Sequence, residues 1–133
     1  MRLQLIKRGI WSLYVIRRAN GEDPLQRDLP RPILFALLAK LDHIANSPAG
    51  PQSLGENVTH LICNETRIWQ LSARHPYRLP YFFDEGRMII LTHVAQKQGG
   101  KTQSTPTQEI ERARALKAEY EAAKRAKKLT FED

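Results

Sequence analysis

Apolar positions along the chain alternate between a period of two and a period near 3.6, and the switches mark out the elements. Residues 13–17 read as a short strand, with Tyr14, Val15 and Ile16 supplying aromatic and β-branched character. Residues 19–24 form a loop by turn chemistry, Asn20-Gly21 followed by Asp23-Pro24. Pro30 and Pro32 suit the entrance of a helix and not its interior. Behind them Ile33, Leu34, Leu37, Leu38, Leu41 and Ile44 recur at helical spacing, leaving Lys40, Asp42 and His43 on a polar face. The helix is expected to stop before Asn46-Ser47-Pro48, and residues 50–57 to form a second loop.

From Val58 onward the pattern becomes β. Strands are predicted at 58–63, 67–74, 77–83 and 87–94, with Asp84-Glu85-Gly86 closing a tight hairpin in which Gly86 is free to take positive φ. His75-Pro76 makes the preceding corner, and strands at such short spacing form an antiparallel meander. Alternation turns Tyr77, Leu79, Tyr81 and Phe83 one way and Arg78, Pro80 and Phe82 the other. Pro80 requires either an edge position or a bulge, because it removes a ladder donor.

A last helix opens at Thr105-Pro106, with Thr105 as cap, Pro106 as first position and Gln108 completing a capping box. Ile110, Ala113, Leu116, Lys117 and Tyr120 share its inward face, Lys117 through its aliphatic stem, and Glu121 and Arg125 are spaced for an i,i+4 pair. Past Ala123 the run Lys124-Arg125-Ala126-Lys127-Lys128 is expected to fray into a solvated basic tail over residues 124–133. The predicted architecture is a single α+β domain over residues 1–133. A twisted antiparallel sheet carries a helix, or helical hairpin, from the N-terminal half and a C-terminal helix. Whether residues 1–12 join the fold stays open.

Composition narrows the function. The 133 residues carry a formal net charge of +7, an excess that points to a polyanionic partner: nucleic acid first, an acidic protein second, a membrane surface a distant third. The surplus is uneven. Residues 1–18 hold five Arg or Lys and no acid; residues 19–63 hold three basic and five acidic side chains; residues 64–106 hold six basic and three acidic. Cys63 stands alone, so no internal disulfide is available, and one Cys with four scattered His does not make a closed zinc site. The apolar run 10–16 is far short of a bilayer span and lacks a signal-peptide pattern, so the cytoplasm is the expected location.

Chemistry concentrates in the meander and the loop behind it. Arg78 comes from a strand, Arg67 and Arg74 lie nearby, and Lys97 and Lys101 follow the last strand. Cutting RNA without a metal requires little more than this. The attacking 2′-hydroxyl belongs to the substrate, and the protein must orient it, neutralise charge on phosphorus and move protons. Asp84 and Glu85 share one turn and form no carboxylate cluster for magnesium, so a metal-dependent nuclease is disfavoured and no cofactor is expected. Each residue also has an ordinary reading: Arg78 as a solvated sheet arginine, Tyr77 as a core or rim aromatic, His93 as a satisfied structural histidine, Cys63 as a small hydrophobe. His43, His60 and His75 are scattered and receive no role.

Taken in order, four stretches resemble a known family. They are Arg67-Ile68-Trp69-Gln70-Leu71, Tyr77-Arg78-Leu79-Pro80-Tyr81-Phe82-Phe83, Gly86-Arg87-Met88-Ile89-Ile90-Leu91, and Lys101 to Ile110 opening the last helix. Together they resemble the phage-related, HigB-like branch of the RelE/ParE toxin superfamily, closely over residues 54–120 and loosely over 13–53. The resemblance implies a RelE-like fold and a toxin of a type II toxin–antitoxin pair. It also implies an endoribonuclease that cleaves mRNA on the ribosome, inhibits translation and is silenced by an antitoxin carrying a helix-turn-helix or acidic segment. Carried over residue by residue, it assigns catalysis to Arg78 and to Lys97, with Tyr77 and His93 as further candidates by neighbourhood and Arg74 and Lys101 as RNA- or phosphate-binding groups; Arg67, from the basic meander itself, joins the latter. Three departures bear on the site: Ser72 stands where the family has a strand arginine, Pro80 replaces an apolar residue, and Gly99-Gly100 look inserted before Lys101. Two other readings compete. ParE-like members of the superfamily poison gyrase and are not nucleases, and a non-catalytic basic module would only bind.

Overall fold

The computed structural model describes residues 1–97 and 105–133. Its strands are β1 (Arg2–Arg8), β2 (Ser12–Ile16), β3 (Thr59–Cys63), β4 (Ile68–Ser72), β5 (Tyr77–Asp84), β6 (Met88–Leu91), β7 (Ala95–Gln96) and β8 (Thr130–Glu132). The helices are α1 (Pro24–Asp28), α2 (Arg31–Ala45) and α3 (Thr107–Arg125), with one 3₁₀ turn at Gly50–Leu54 inside the second predicted loop. One sheet contains all eight strands in the order β3-β4-β5-β6-β2-β1-β8, with β7 paired to β5. The meander β3 to β6 is antiparallel as the sequence predicts. The sheet as a whole is mixed, not antiparallel, because β2 runs parallel to β6 and β8 parallel to β1.

Alternation along the strands builds two cores, one on each face. Leu13, Val15, Leu71, Leu79, Tyr81, Ile89 and Leu91 point to the face covered by Leu34, Leu37, Leu41 and Ile44 of α2. Leu3, Tyr14, Ile16, Ile68, Phe82 and Ile90 point to the other, where α3 supplies Ala113 and Tyr120. Phe83 sits among aromatics on the α2 face, its ring 5.7 Å from Trp11, 6.1 Å from Trp69 and 5.6 Å from Tyr81.

Pro80 lies inside β5, a strand flanked on both sides. Tyr81 pairs with Leu91 and Arg78 with Ala95, so Leu79 and Pro80 stand opposite three residues, Thr92, His93 and Val94. This bulge faces the ring nitrogen that has no hydrogen, while the Pro80 carbonyl still accepts from the Thr92 amide at 2.9 Å.

Both ends of the chain depart from expectation. Residues 2–8 form β1, which settles the open question about the N-terminus. The basic tail does not fray after Ala123. Helix α3 continues to Arg125, Lys127 takes a left-handed φ of 58°, the Lys128 amide bonds the Ala123 carbonyl at 2.8 Å, and β8 then docks on β1. The capping box is also absent. Pro106 occupies the cap position without a side-chain bond, and the Thr105 hydroxyl donates to the Gln70 side chain instead. Glu121 lies 4.0 Å from Lys117, not with Arg125. Lys117 turns inward, but through its ammonium, which lies 5.4 Å from the Phe82 ring centroid and donates to the Thr66 carbonyl at 2.5 Å.

Candidate active site

The five cations of the N-terminal segment, one of the two basic excesses, are answered by the protein's own acids. Arg2 and Arg17 pair with Glu132 at 3.1 and 2.9 Å, Arg8 with Asp133 at 3.2 Å, Lys7 with Asp42 at 3.9 Å, and Arg18 with Asp28 and Glu22. A cavity of about 740 Å³ lies between α3 and this end of the sheet, lined by Arg2, Arg17, Arg18, His93, Arg112 and Glu119 among others. Three of its four arginines are therefore already neutralised.

Arg78 is different. It is only 7% exposed, whereas the ordinary reading had it solvated. Its Nη1 donates to the carbonyls of Tyr77 at 2.8 Å and Ala73 at 3.3 Å, while its buried Nε has no hydrogen-bond partner. Among the described residues no carboxylate lies within ion-pair distance of it. Desolvation alone lowers the pKa of the guanidinium. A cation held out of water with no counter-charge favours any anion that reaches it.

Lys97 reaches the same place from the chain beyond β7. Arg78 pairs with Ala95, and two residues on, the Lys97 amide bonds the Pro76 carbonyl at 2.7 Å, so alternation returns the Lys97 side chain to the Arg78 face. Lys97 is half-buried, and its pKa is lowered first by desolvation and then by the charge of Arg78. Backbone register thus puts Arg78 and Lys97, the two residues that the resemblance singles out, on one face of the sheet.

A third group joins them that sequence reasoning passed over. His60 of β3 pairs with Gln70, and Gln70 with Pro80, so this row crosses the sheet next to the row formed by Ser72, Arg78 and Ala95. His60 is exposed, and its pKa is lowered by desolvation, then by Lys97, then by Arg78. Gln70 is fully buried between the two, its Nε2 without a partner.

The other candidates are placed elsewhere. Tyr77 pairs with Gln96 and packs into the α2-side core, on the opposite face from Arg78. His93 sits in the bulge, 3% exposed, with Nδ1 at 2.9 Å from the Thr92 hydroxyl and Nε2 3.7 Å from Glu109. Burial and the Arg112 charge outweigh that carboxylate and push its pKa down to about 4, so it is a neutral, packed histidine facing the other cavity. Arg67 occupies the far turn of the β3–β4 hairpin, bonded to Asn64 at 2.8 Å and 5.7 Å from the Trp69 ring. Five residues separate it from Ser72, about 16 Å along a strand. Arg74 is exposed at the β4–β5 corner, and Lys101 lies outside the described residues. Among the described residues no helix is long and apolar enough to cross a membrane, and no group of three or more His, Cys, Asp or Glu is placed to hold a metal ion.

Comparison with known proteins places the chain at family level. No curated protein and no solved structure matches it. The sequence model of a phage-derived protein family matches residues 27–118, a span that holds α2, the whole meander, Arg78, Lys97 and His60. A match over more than half of the chain shows membership, and the protein belongs to the phage-derived Gp49-like family (DUF891).

Proposed function

We propose that this protein is a RelE-type toxin of a toxin–antitoxin pair and that it is an endoribonuclease acting on messenger RNA. The observation that carries the reading is the buried Arg78, without a counter-ion among the described residues and joined by Lys97 on the same face of β5 and β7. Membership of the Gp49-like family and the order of the four motif stretches support the same class.

The chemistry asked of the site is modest. A ribose 2′-oxygen attacks the adjacent phosphorus, and a second negative charge gathers on the phosphoryl oxygens as the bond to the 5′-oxygen lengthens. Arg78 is fixed by two backbone carbonyls before substrate arrives, so little reorganisation is needed as that charge develops. Lys97 adds a second positive charge, and its depressed pKa makes its proton easier to give to the departing 5′-oxygen. Because the nucleophile is part of the substrate, the reading requires no metal and no cofactor. The ribosome positions the mRNA, and a cognate antitoxin silences the toxin.

The test is to induce the protein in cells and map transcript ends, comparing wild type with Arg78→Ala. New 5′ ends within coding sequences, lost in the variant while it remains folded, are the expected result. DNA damage with intact transcripts would favour gyrase poisoning instead. Equal cleavage by the alanine variant would remove Arg78 from the reaction.

A further inference from the structure

We propose that His60 is the general base that takes the proton from the attacking 2′-hydroxyl. This inference rests on the nuclease reading and supplies the one component that reading leaves unassigned.

A site with two cations can stabilise charge, but attack by an alcohol also needs an acceptor for its proton. Both groups assigned so far, Arg78 and Lys97, are donors. Tyr77 is on the other face of the sheet, and His93 is enclosed beside α3. His60 is exposed, on the Arg78 face, two strands away and one row along. Two strand spacings and a two-residue step put its Cα about 12 Å from that of Arg78. The scissile phosphate lies on that face, between the imidazole and the guanidinium held by the Tyr77 and Ala73 carbonyls.

The electrostatics suit the role. The charged groups acting on the imidazole are Lys97, beyond β7, and Arg78, on β5, while β4 presents the uncharged Gln70 opposite it. Desolvation first, and then the charges of Lys97 and Arg78, lower the pKa of the imidazole and favour its neutral, proton-accepting form. In the reaction His60 gains the 2′-hydroxyl proton and the 2′-oxygen bonds to phosphorus. The bond from phosphorus to the 5′-oxygen then breaks, and Lys97 supplies a proton to that oxygen. The products are a 2′,3′-cyclic phosphate and a 5′-hydroxyl, with no net gain or loss of protons.

Single-turnover cleavage of an mRNA on programmed ribosomes, followed from pH 5 to pH 9, tests this with wild type, His60→Gln and Arg78→Ala. The wild-type rate should rise through a pKa below 6.5 and then level. His60→Gln should lower the plateau by about a hundredfold and erase the acidic limb. Its affinity for a 2′-deoxy substrate analogue should remain unchanged. Thermal unfolding should match wild type, since the side chain is exposed. Cleavage by His60→Gln within threefold of wild type, with the acidic limb intact, would overturn the assignment while leaving the nuclease reading in place. Absence of cleavage by the wild type would overturn both.

Discussion

At position 78 a guanidinium has left water without meeting a carboxylate, an arrangement that costs several kcal/mol for an unpaired ion, to order of magnitude. Two backbone carbonyls recover part of that cost. Position 93 shows the opposite solution, in which an ionisable ring is buried in its neutral form. Its folded-state pKa of about 4 lies below the ordinary 6.5, so the unfolded chain binds more protons between those values. The contribution of His93 to stability should therefore be fully present above pH 6.5 and decline as the pH falls toward 4, by about 3 kcal/mol over that window. Urea unfolding at pH 7 and pH 4.5 should reveal this loss, and His93→Gln should reduce it. An unchanged pH dependence in the variant would show that other groups carry it. Arg78 and Lys97 were singled out by the family resemblance, and their shared face follows from local strand alternation and the short step from β5 to β7. His60 was not. Its place depends on the β3–β4 register, which shifts by a bulge between Leu61 and Cys63 that no local pattern announces.

Among the elements, the β5–β6 hairpin does more than turn the chain. Asp84 at its tip accepts from the Tyr120 hydroxyl at 2.6 Å and from the Lys124 ammonium at 2.7 Å, clamping α3 to the sheet. Burial pushes the Asp84 pKa up, but the bonds from Lys124 and Tyr120 outweigh it and leave it lowered. Asp84→Asn should cost about 2 kcal/mol, most of it through Tyr120, since Lys124 is largely exposed and screened by water. Chemical denaturation measures it, and a loss below about 0.5 kcal/mol would mean that apolar packing alone holds the helix. The meander was readable because its turns are local: Gly86 takes a φ of 77° where a tight turn needs one. The parallel pairings of β2 with β6 and β1 with β8 were not, because partners far apart in sequence leave no local signal.

Across the whole molecule, two helical layers divide the work. Helix α2 seals one face of the sheet, and α3 lies across Ile68 and Phe82 on the other, next to the rows that carry His60, Gln70 and Arg78. The net charge of +7 suggested two basic regions from sequence alone. Folding neutralises the N-terminal one with Glu132 and Asp133 from the opposite end of the chain, and with Glu22, Asp28 and Asp42. Pairing over such separations was invisible in the sequence. If Arg78 and Lys97 act on one phosphate, a double-mutant cycle of Arg78→Ala and Lys97→Ala on the single-turnover cleavage rate reads their coupling directly. Groups that share one transition-state charge are coupled, so the double variant should be much less impaired than the product of the two single losses predicts. Strict multiplication of the two losses would show that they act on separate events and would contradict the shared site.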